Sequence, residues 1–382
     1  MKSFISRITQ KNKFNKVFSI ICVLISAFFF TASRFIDGFA NWHVRFITPL
    51  LTNTLGRLIS LFPFSVLEIL IYSAILFVVF GIGYIAHCLV KKTIGKISSL
   101  LWSTSSIICG LFLMMTLTVF VNFSRDSIAE VLSIEIEMFT HNELIALTEL
   151  LIERTNKIAQ EVYRDKDRHD PIIMREIIDD SIVAMQNLGY KYSGFSGFYS
   201  RPKTFFFSRG MSHLGITGIF SPFTLEPNFS NDVEDYIIPF VMIHELAHSR
   251  GFMREDDANF IAYLAAKNSE NAFIRLSGEM NILAYALRAV RRTGDSESYN
   301  RLRSSIDERV LAEFRRNAEH WRRFDTPVAR VATAANDLYL RVNAQRDGVQ
   351  SYGRVIDLVF AIYRDILVYS QNSSRKTQNF FR

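Results

Sequence analysis

Residues 97–123 contain no charged side chain. As a helix this run reaches roughly 40 Å, against about 30 Å of bilayer hydrocarbon. A backbone crossing that layer must satisfy its own hydrogen bonds, which a helix does. Residues 69–90 are likewise uncharged after Glu68 and reach roughly 33 Å as a helix. Residues 17–32 follow Lys11, Lys13 and Lys16 and reach roughly 24 Å, just enough to span. Three transmembrane helices are expected, at about 14–33, 67–90 and 97–123. The first also resembles a signal peptide ending at the small residues Thr31, Ala32 and Ser33, but its apolar run is long for one and favours an anchor.

Charge divides the chain at the same place. Residues 1–123 hold 11 Lys and Arg against two acids, Asp37 and Glu68, leaving 33 basic against 35 acidic residues in 124–382. A pI near 9.2 would otherwise suggest nucleic acid. Here the basic excess flanks apolar segments, so the implied partner is a lipid bilayer and no nucleic acid. Five Lys and Arg precede residue 17, and Lys91, Lys92 and Lys96 crowd the second connection, whereas 33–63 has only Arg34, Arg45 and Arg57. The positive-inside rule then puts the N-terminus and the Lys91–Lys96 loop in the cytoplasm, and everything after Phe123 outside. Glu68 is expected as a solvated carboxylate at the outer interface. Cys22, Cys88 and Cys109 all fall within expected spans, so the outer region has no disulfide framework. At 259 residues it can bury a sufficient core without one.

The outer region, 124–382, reads as mainly α with a small β region. Thr140 and Glu143 form a capping box that starts a helix ending near Tyr163. A second helix has Asp170 as N-cap, Pro171 at its first position and Gly189 as its stop. Between 190 and 230, Gly, Ser and aromatic residues dominate, and 204–207 and 214–220 read as short strands. Helical periodicity returns near Val233. Pro239 either starts the next helix or kinks one begun at Asn231 and Asp232. Two helices are expected over about 239–268. A helical C-terminal part follows at about 271–292, 297–323, 327–344 and 351–369, with Arg and Glu on the outer faces.

The chemistry lies at His244-Glu245-Leu246-Ala247-His248. Residues four apart share a helical face, so both imidazoles can reach one metal ion. Glu245 stands where it can meet a metal-bound water as general base. The apolar run Ile237, Ile238, Phe240, Val241, Met242 and Ile243 marks the helix as buried, where two histidines and a glutamate need partners. Gly251 can turn the chain back in a left-handed conformation. Glu255 then offers a third ligand, with Asp256 and Asp257 as rivals, and all three also suit a helix N-terminus. Asn259, one turn after Glu255, can orient a ligating side chain.

The run His244-Glu245-Leu246-Ala247-His248, Gly251-Phe252, Arg254-Glu255 and Ala258-Asn259-Phe260 resembles the signature of a bacterial membrane family known as domain of unknown function 3810. Pro63-Phe64-Ser65-Val66 with Glu68, Gly218-Ile219 with Pro222-Phe223-Thr224 and Glu226, and Asp347-Gly348-Val349 with Ser351-Tyr352-Gly353 extend the resemblance over most of the chain. It implies N-terminal spans followed by a zincin-like metallopeptidase domain. Glu255 with Ala258-Asn259 is also similar to the helix of gluzincin peptidases that carries their third zinc ligand. The path from His248 to Glu255 is much shorter here than in thermolysin-like enzymes.

The expected function is zinc-dependent hydrolysis of a peptide or protein substrate outside the bacterial cytoplasmic membrane. His244, His248 and Glu255 would hold the zinc, and Glu245 would act as base. The strand near 214–220 can pair an extended substrate, and Glu226 either lines that cleft or is a solvated loop acid. Tyr352 is a candidate oxyanion donor or a packed tyrosine at a helix start. His213 and His320 read as structural or surface residues. Two other functions use the same motif: a zinc-binding sensor or envelope assembly factor without protease activity, and an amidase acting on cell-wall peptides.

Overall fold

The computed structural model describes residues 2–163, 174–343, 345 and 347–380, with the backbone alone at 2–9, 352 and 368–380. The chain forms two units, Met1–Arg125 with Ser221–Glu226, and Asp126–Phe220 with Pro227–Arg382.

The first unit is helical: α1 (Lys2–Phe35), α2 (Phe39–Leu51), α3 (Arg57–Ser60), α4 (Val66–Val90) and α5 (Ile94–Met115). Its stretches Gln10–Phe35, Val66–Val90 and Ile94–Ser124 are long and apolar enough to cross a membrane. α1 and α5 meet through small and polar side chains. Asn15 Nδ2 donates to Ser103 Oγ at 3.0 Å, and Ser106 Oγ donates to the Asn15 carbonyl at 3.1 Å. Such contacts suit helices in lipid, where apolar surface alone gives no association.

Two acids of this unit differ from expectation. Glu68 is 6% exposed and accepts from Tyr72 Oη, one turn later, at 2.6 Å. Helical spacing gives it a partner, so it is not a solvated interfacial group. Glu226 is fully buried and neither lines a cleft nor meets solvent. Its two oxygens accept from the Val66 and Leu67 amides at 3.0 and 2.9 Å. It thus satisfies the first turn of α4, where unpaired N–H groups favour an anion.

The second unit begins with α6 (Ile128–Leu132), α7 (His141–Val162) and α8 (Met174–Lys191). The Thr140–Glu143 capping box starts α7 as expected, while the Asp170 and Pro171 cap lies outside the described residues. Gly189 does not end α8 but lies within it. A Cβ there would approach the Phe195 carbonyl oxygen to 3.0 Å, so this glycine serves close packing.

Next come β1 (Lys203–Thr204), α9 (Ser208–His213), β2 (Gly218–Phe220) and β3 (Pro227–Phe229). The sheet order is β1-β3-β2, with β3 parallel to β1 and antiparallel to β2, which leaves β2 at an edge. The strands are shorter than expected for identifiable reasons. Phe207 already precedes the first turn of α9, and Gly215 (φ 70°) turns the chain out of that helix before β2 can start. β3 escapes sequence reading because Pro227 and Asn228 resemble a turn. Proline is nevertheless accommodated at a strand's first residue.

A single turn at Asp235–Ile237 leads into α10 (Ile238–His248), with Pro239 in the first turn and no kinked earlier helix. All 11 residues of α10 are buried. Its neighbours are α8, β2, β3, α11 (Glu255–Lys267) and α12 (Ala272–Arg292). Ser277 on α12 accepts from the Phe240 amide at 3.0 Å and so caps α10 from outside. The expected helix 297–323 is two, α13 (Ser296–Ser304) and α14 (Glu308–Arg322), because Asp307 accepts from the Arg309 amide and starts a new one. α15 (Pro327–Val342) and α16 (Val355–Phe380) complete the unit. Around α11, buried Glu279 accepts from Arg154 Nε at 2.8 Å and from Tyr263 Oη at 3.2 Å, and Tyr263 meets Tyr363 Oη at 2.8 Å. This network ties α7, α11, α12 and α16 together.

Candidate metal centre

His244 and His248 stand one turn apart on α10, so both rings leave the same face. Gly251 (φ 81°) adopts the left-handed conformation that glycine takes without strain, and its amide returns to the His248 carbonyl at 2.9 Å. Phe252, buried and stacked on Phe195 with centroids 5.2 Å apart, fixes the returning chain. Glu255 is then the first residue of α11.

The two Nε2 atoms face each other at 3.0 Å, and Glu255 Oε2 lies 3.1 Å from that of His244 and 3.8 Å from that of His248. The edges of a tetrahedral site with bonds of about 2.1 Å are roughly 3.4 Å long, a value these separations bracket. Among the described residues, His244, His248 and Glu255 form the one metal-capable group of three His, Cys, Asp or Glu side chains.

The far side of each ring fixes its tautomer. His244 Nδ1 meets Asn259 Oδ1 at 2.9 Å, and His248 Nδ1 meets the Phe252 carbonyl at 2.6 Å. Both oxygens can only accept, so each Nδ1 carries the hydrogen and each Nε2 turns a lone pair inward. Two lone pairs beside a carboxylate require a cation. A proton is one solution: burial opposes charge on His244, but Glu255, Glu245 and Asn259 together outweigh it and raise the pKa. A metal ion is the other, and the donors fit it. His248 differs, because burial, reinforced by charge on His244, pushes its pKa down to about 4.

Glu245 is 5% exposed. Burial, reinforced by Glu255 and opposed by His244, pushes its pKa up to about 8, while the Phe220 amide bonds its carboxylate and lowers it somewhat. Its Oε2 is buried and has no hydrogen-bond partner in the protein. The carboxylate lies against β2 because Gly218 leaves room. A Cβ there would fall 2.5 Å from Glu245 Oε1 and 2.5 Å from Val241 Cγ1.

Of the rivals to Glu255, Asp257 Oδ1 accepts from the Ile128 amide at 3.1 Å and starts α6, while Asp256 Oδ1 accepts from the Asp257 amide at 3.1 Å. Neither joins the group. Tyr352 lies in the turn Gly348–Arg354, but its side chain is outside the described residues. His213 and His320 belong to a different cluster, each with its ring centroid 4.9 Å from that of Phe324.

Two tyrosines near the site went unnoticed in the sequence. Tyr285 on α12 accepts through its hydroxyl from Asn259 Nδ2 at 3.2 Å, which extends the chain of hydrogen bonds behind His244. Tyr339 on α15 is half-buried, and its pKa is raised first by desolvation and further by the charge of Glu255. Helical spacing reveals neither, since both arrive through packing of distant elements.

The family model described as a protein of unknown function, DUF3810, matches residues 43–360, which include the whole group. No curated protein and no solved structure matches the chain.

Proposed function

The chain belongs to the DUF3810 family, and from that premise we propose that it is a membrane-anchored, zincin-like metallopeptidase hydrolysing peptide bonds outside the cytoplasmic membrane. The observation that carries this reading is the convergence of His244, His248 and Glu255 with the Glu245 carboxylate beside them. His244, His248 and Glu255 would hold a zinc ion, which supplies an acidified water and Lewis-acid polarisation of the scissile carbonyl when bound.

The rest falls to the chain's own residues. Glu245 takes a proton from the attacking water and passes it to the leaving amine, a task suited to a carboxylate whose basicity burial raises. Asn259 and the Phe252 carbonyl hold the two rings in the tautomer that binds metal. The free edge of β2 offers backbone groups to an extended peptide. Lys91, Lys92 and Lys96 support a cytoplasmic α4–α5 turn and a second unit outside.

A closed structural zinc would serve a sensor or assembly factor and would need a fourth protein ligand. Among the described residues the group has three ligands, which leaves a position for water and favours catalysis. An amidase acting on cell-wall peptides uses the same chemistry, and substrate choice separates the two. The test uses the full chain in nanodiscs, assayed on casein and on peptidoglycan fragments. Glu245→Gln should keep zinc and lose hydrolysis by roughly a hundredfold or more, while His244→Ala should lose both. Unchanged hydrolysis in Glu245→Gln would overturn the mechanism.

A further inference from the structure

α15 keeps little of itself inside the fold, with Leu340 its one buried side chain. Its apolar residues run along the outside instead. Val328, Val331, Leu338 and Val342 are 57, 71, 63 and 67% exposed, and Ala335 between them is exposed as well. The outer face of this helix is therefore apolar, not the Arg- and Glu-rich surface expected for the C-terminal helices. Spacings of three, four, three and four residues make a seam with a repeat of 3.5, the period of helices that pack on other helices.

We propose that this seam pairs with α15 of a second copy of the chain, as a short two-stranded helical interface between membrane-anchored copies. Its composition fits that occupant. Val328, Ala335 and Val342 hold the first position of their repeats, and Val331 and Leu338 the fourth. Two of three first positions are thus β-branched and one fourth position is leucine, in the direction associated with two strands. Ala332 and Ala334 flank the seam and let two backbones approach closely. The charges beside it are neutralised within each copy. Arg330 pairs with Asp325 at 2.9 Å and Arg341 with Asp337 at 2.6 Å, so two copies meet without net like-charge repulsion. A bilayer surface is a poorer fit, because helices lying on lipid carry Lys- and Arg-rich polar faces opposite Trp, Phe and Leu.

Size sets the conditions. Five side chains along about 24 Å of helix bury less than the roughly 1,200 Å² of a standard interface between soluble partners. Three membrane-crossing helices per copy would supply the difference, by confining both copies to one plane and raising their effective concentration. The inference rests on that bilayer reading and is independent of the metal site.

The test places Ala335→Cys in full-length chain with Cys22, Cys88 and Cys109 replaced by alanine, and treats membranes with a short bismaleimide. A cross-linked dimer should form at position 335. It should be absent with Thr333→Cys, which lies exposed on the opposite face. Adding Leu338→Glu, at an exposed position that leaves the fold intact, should reduce the dimer roughly tenfold or more by placing charge in the seam. No dimer at 335, an equal yield at 333, or a dimer indifferent to Leu338→Glu would each overturn the proposal. So would quenching by lipid-borne quenchers of a fluorophore attached to the Ala335→Cys thiol.

Discussion

At the scale of single residues, Gly218 decides where Glu245 can lie. A methyl group at 218 would occupy the space of Glu245 Oε1, so Gly218→Ala should displace the base while sparing the ligands. Hydrolysis should fall roughly tenfold to a hundredfold with zinc content unchanged by elemental analysis; equal loss of zinc would contradict that division of roles. Behind His244 the hydrogen bonds run through Asn259 to Tyr285. Asn259→Ala is expected to weaken zinc binding about 10- to 100-fold, and Tyr285→Phe by less. Competition titrations should find that Tyr285→Phe adds nothing once Asn259 is gone, because the tyrosine acts through it. The grouping of His244, Glu245 and His248 was legible because helical periodicity fixes which residues share a face. Glu255 with Asn259 followed from the turn at Gly251, which left Asp256 and Asp257 as rivals. Tyr285, the Phe252 carbonyl and the Phe220 amide were not legible, since backbone groups and distant helices leave no spacing to read.

Among the elements, helix positions follow from caps and glycines that a sequence displays, as Thr140, Pro239 and Gly251 do. Strands of two or three residues lack the length for alternation to register, and β3 was hidden by Pro227. Gly189 shows the opposite error, a packing glycine read as a stop. What holds α11 in place is tertiary. Glu279 is fully buried, and Arg154 neutralises it from α7. Arg154→Met leaves that charge uncompensated and should cost about 3–5 kcal/mol in denaturant unfolding, whereas removing both charges together with Glu279→Leu should restore most of it. A single variant as stable as wild type would show that the pair does not anchor the helix.

Over the whole molecule, the clustering of basic residues beside uncharged runs identified the helices long and apolar enough to cross a membrane. Sequence order hid one feature of the division into units. Residues Ser221–Glu226 lie far along the chain yet belong with the first unit, where Glu226 caps α4. No local pattern announces a contact across some 160 positions of sequence. Zinc-edge X-ray absorption on the full chain reads the metal centre itself. One zinc per chain is expected, with two imidazole nitrogens at about 2.0–2.1 Å and light oxygen ligands at about 2.0–2.2 Å, one of which Glu255→Ala removes. A chain that takes up no zinc, or a zinc shell unchanged by Glu255→Ala, would contradict the proposed site.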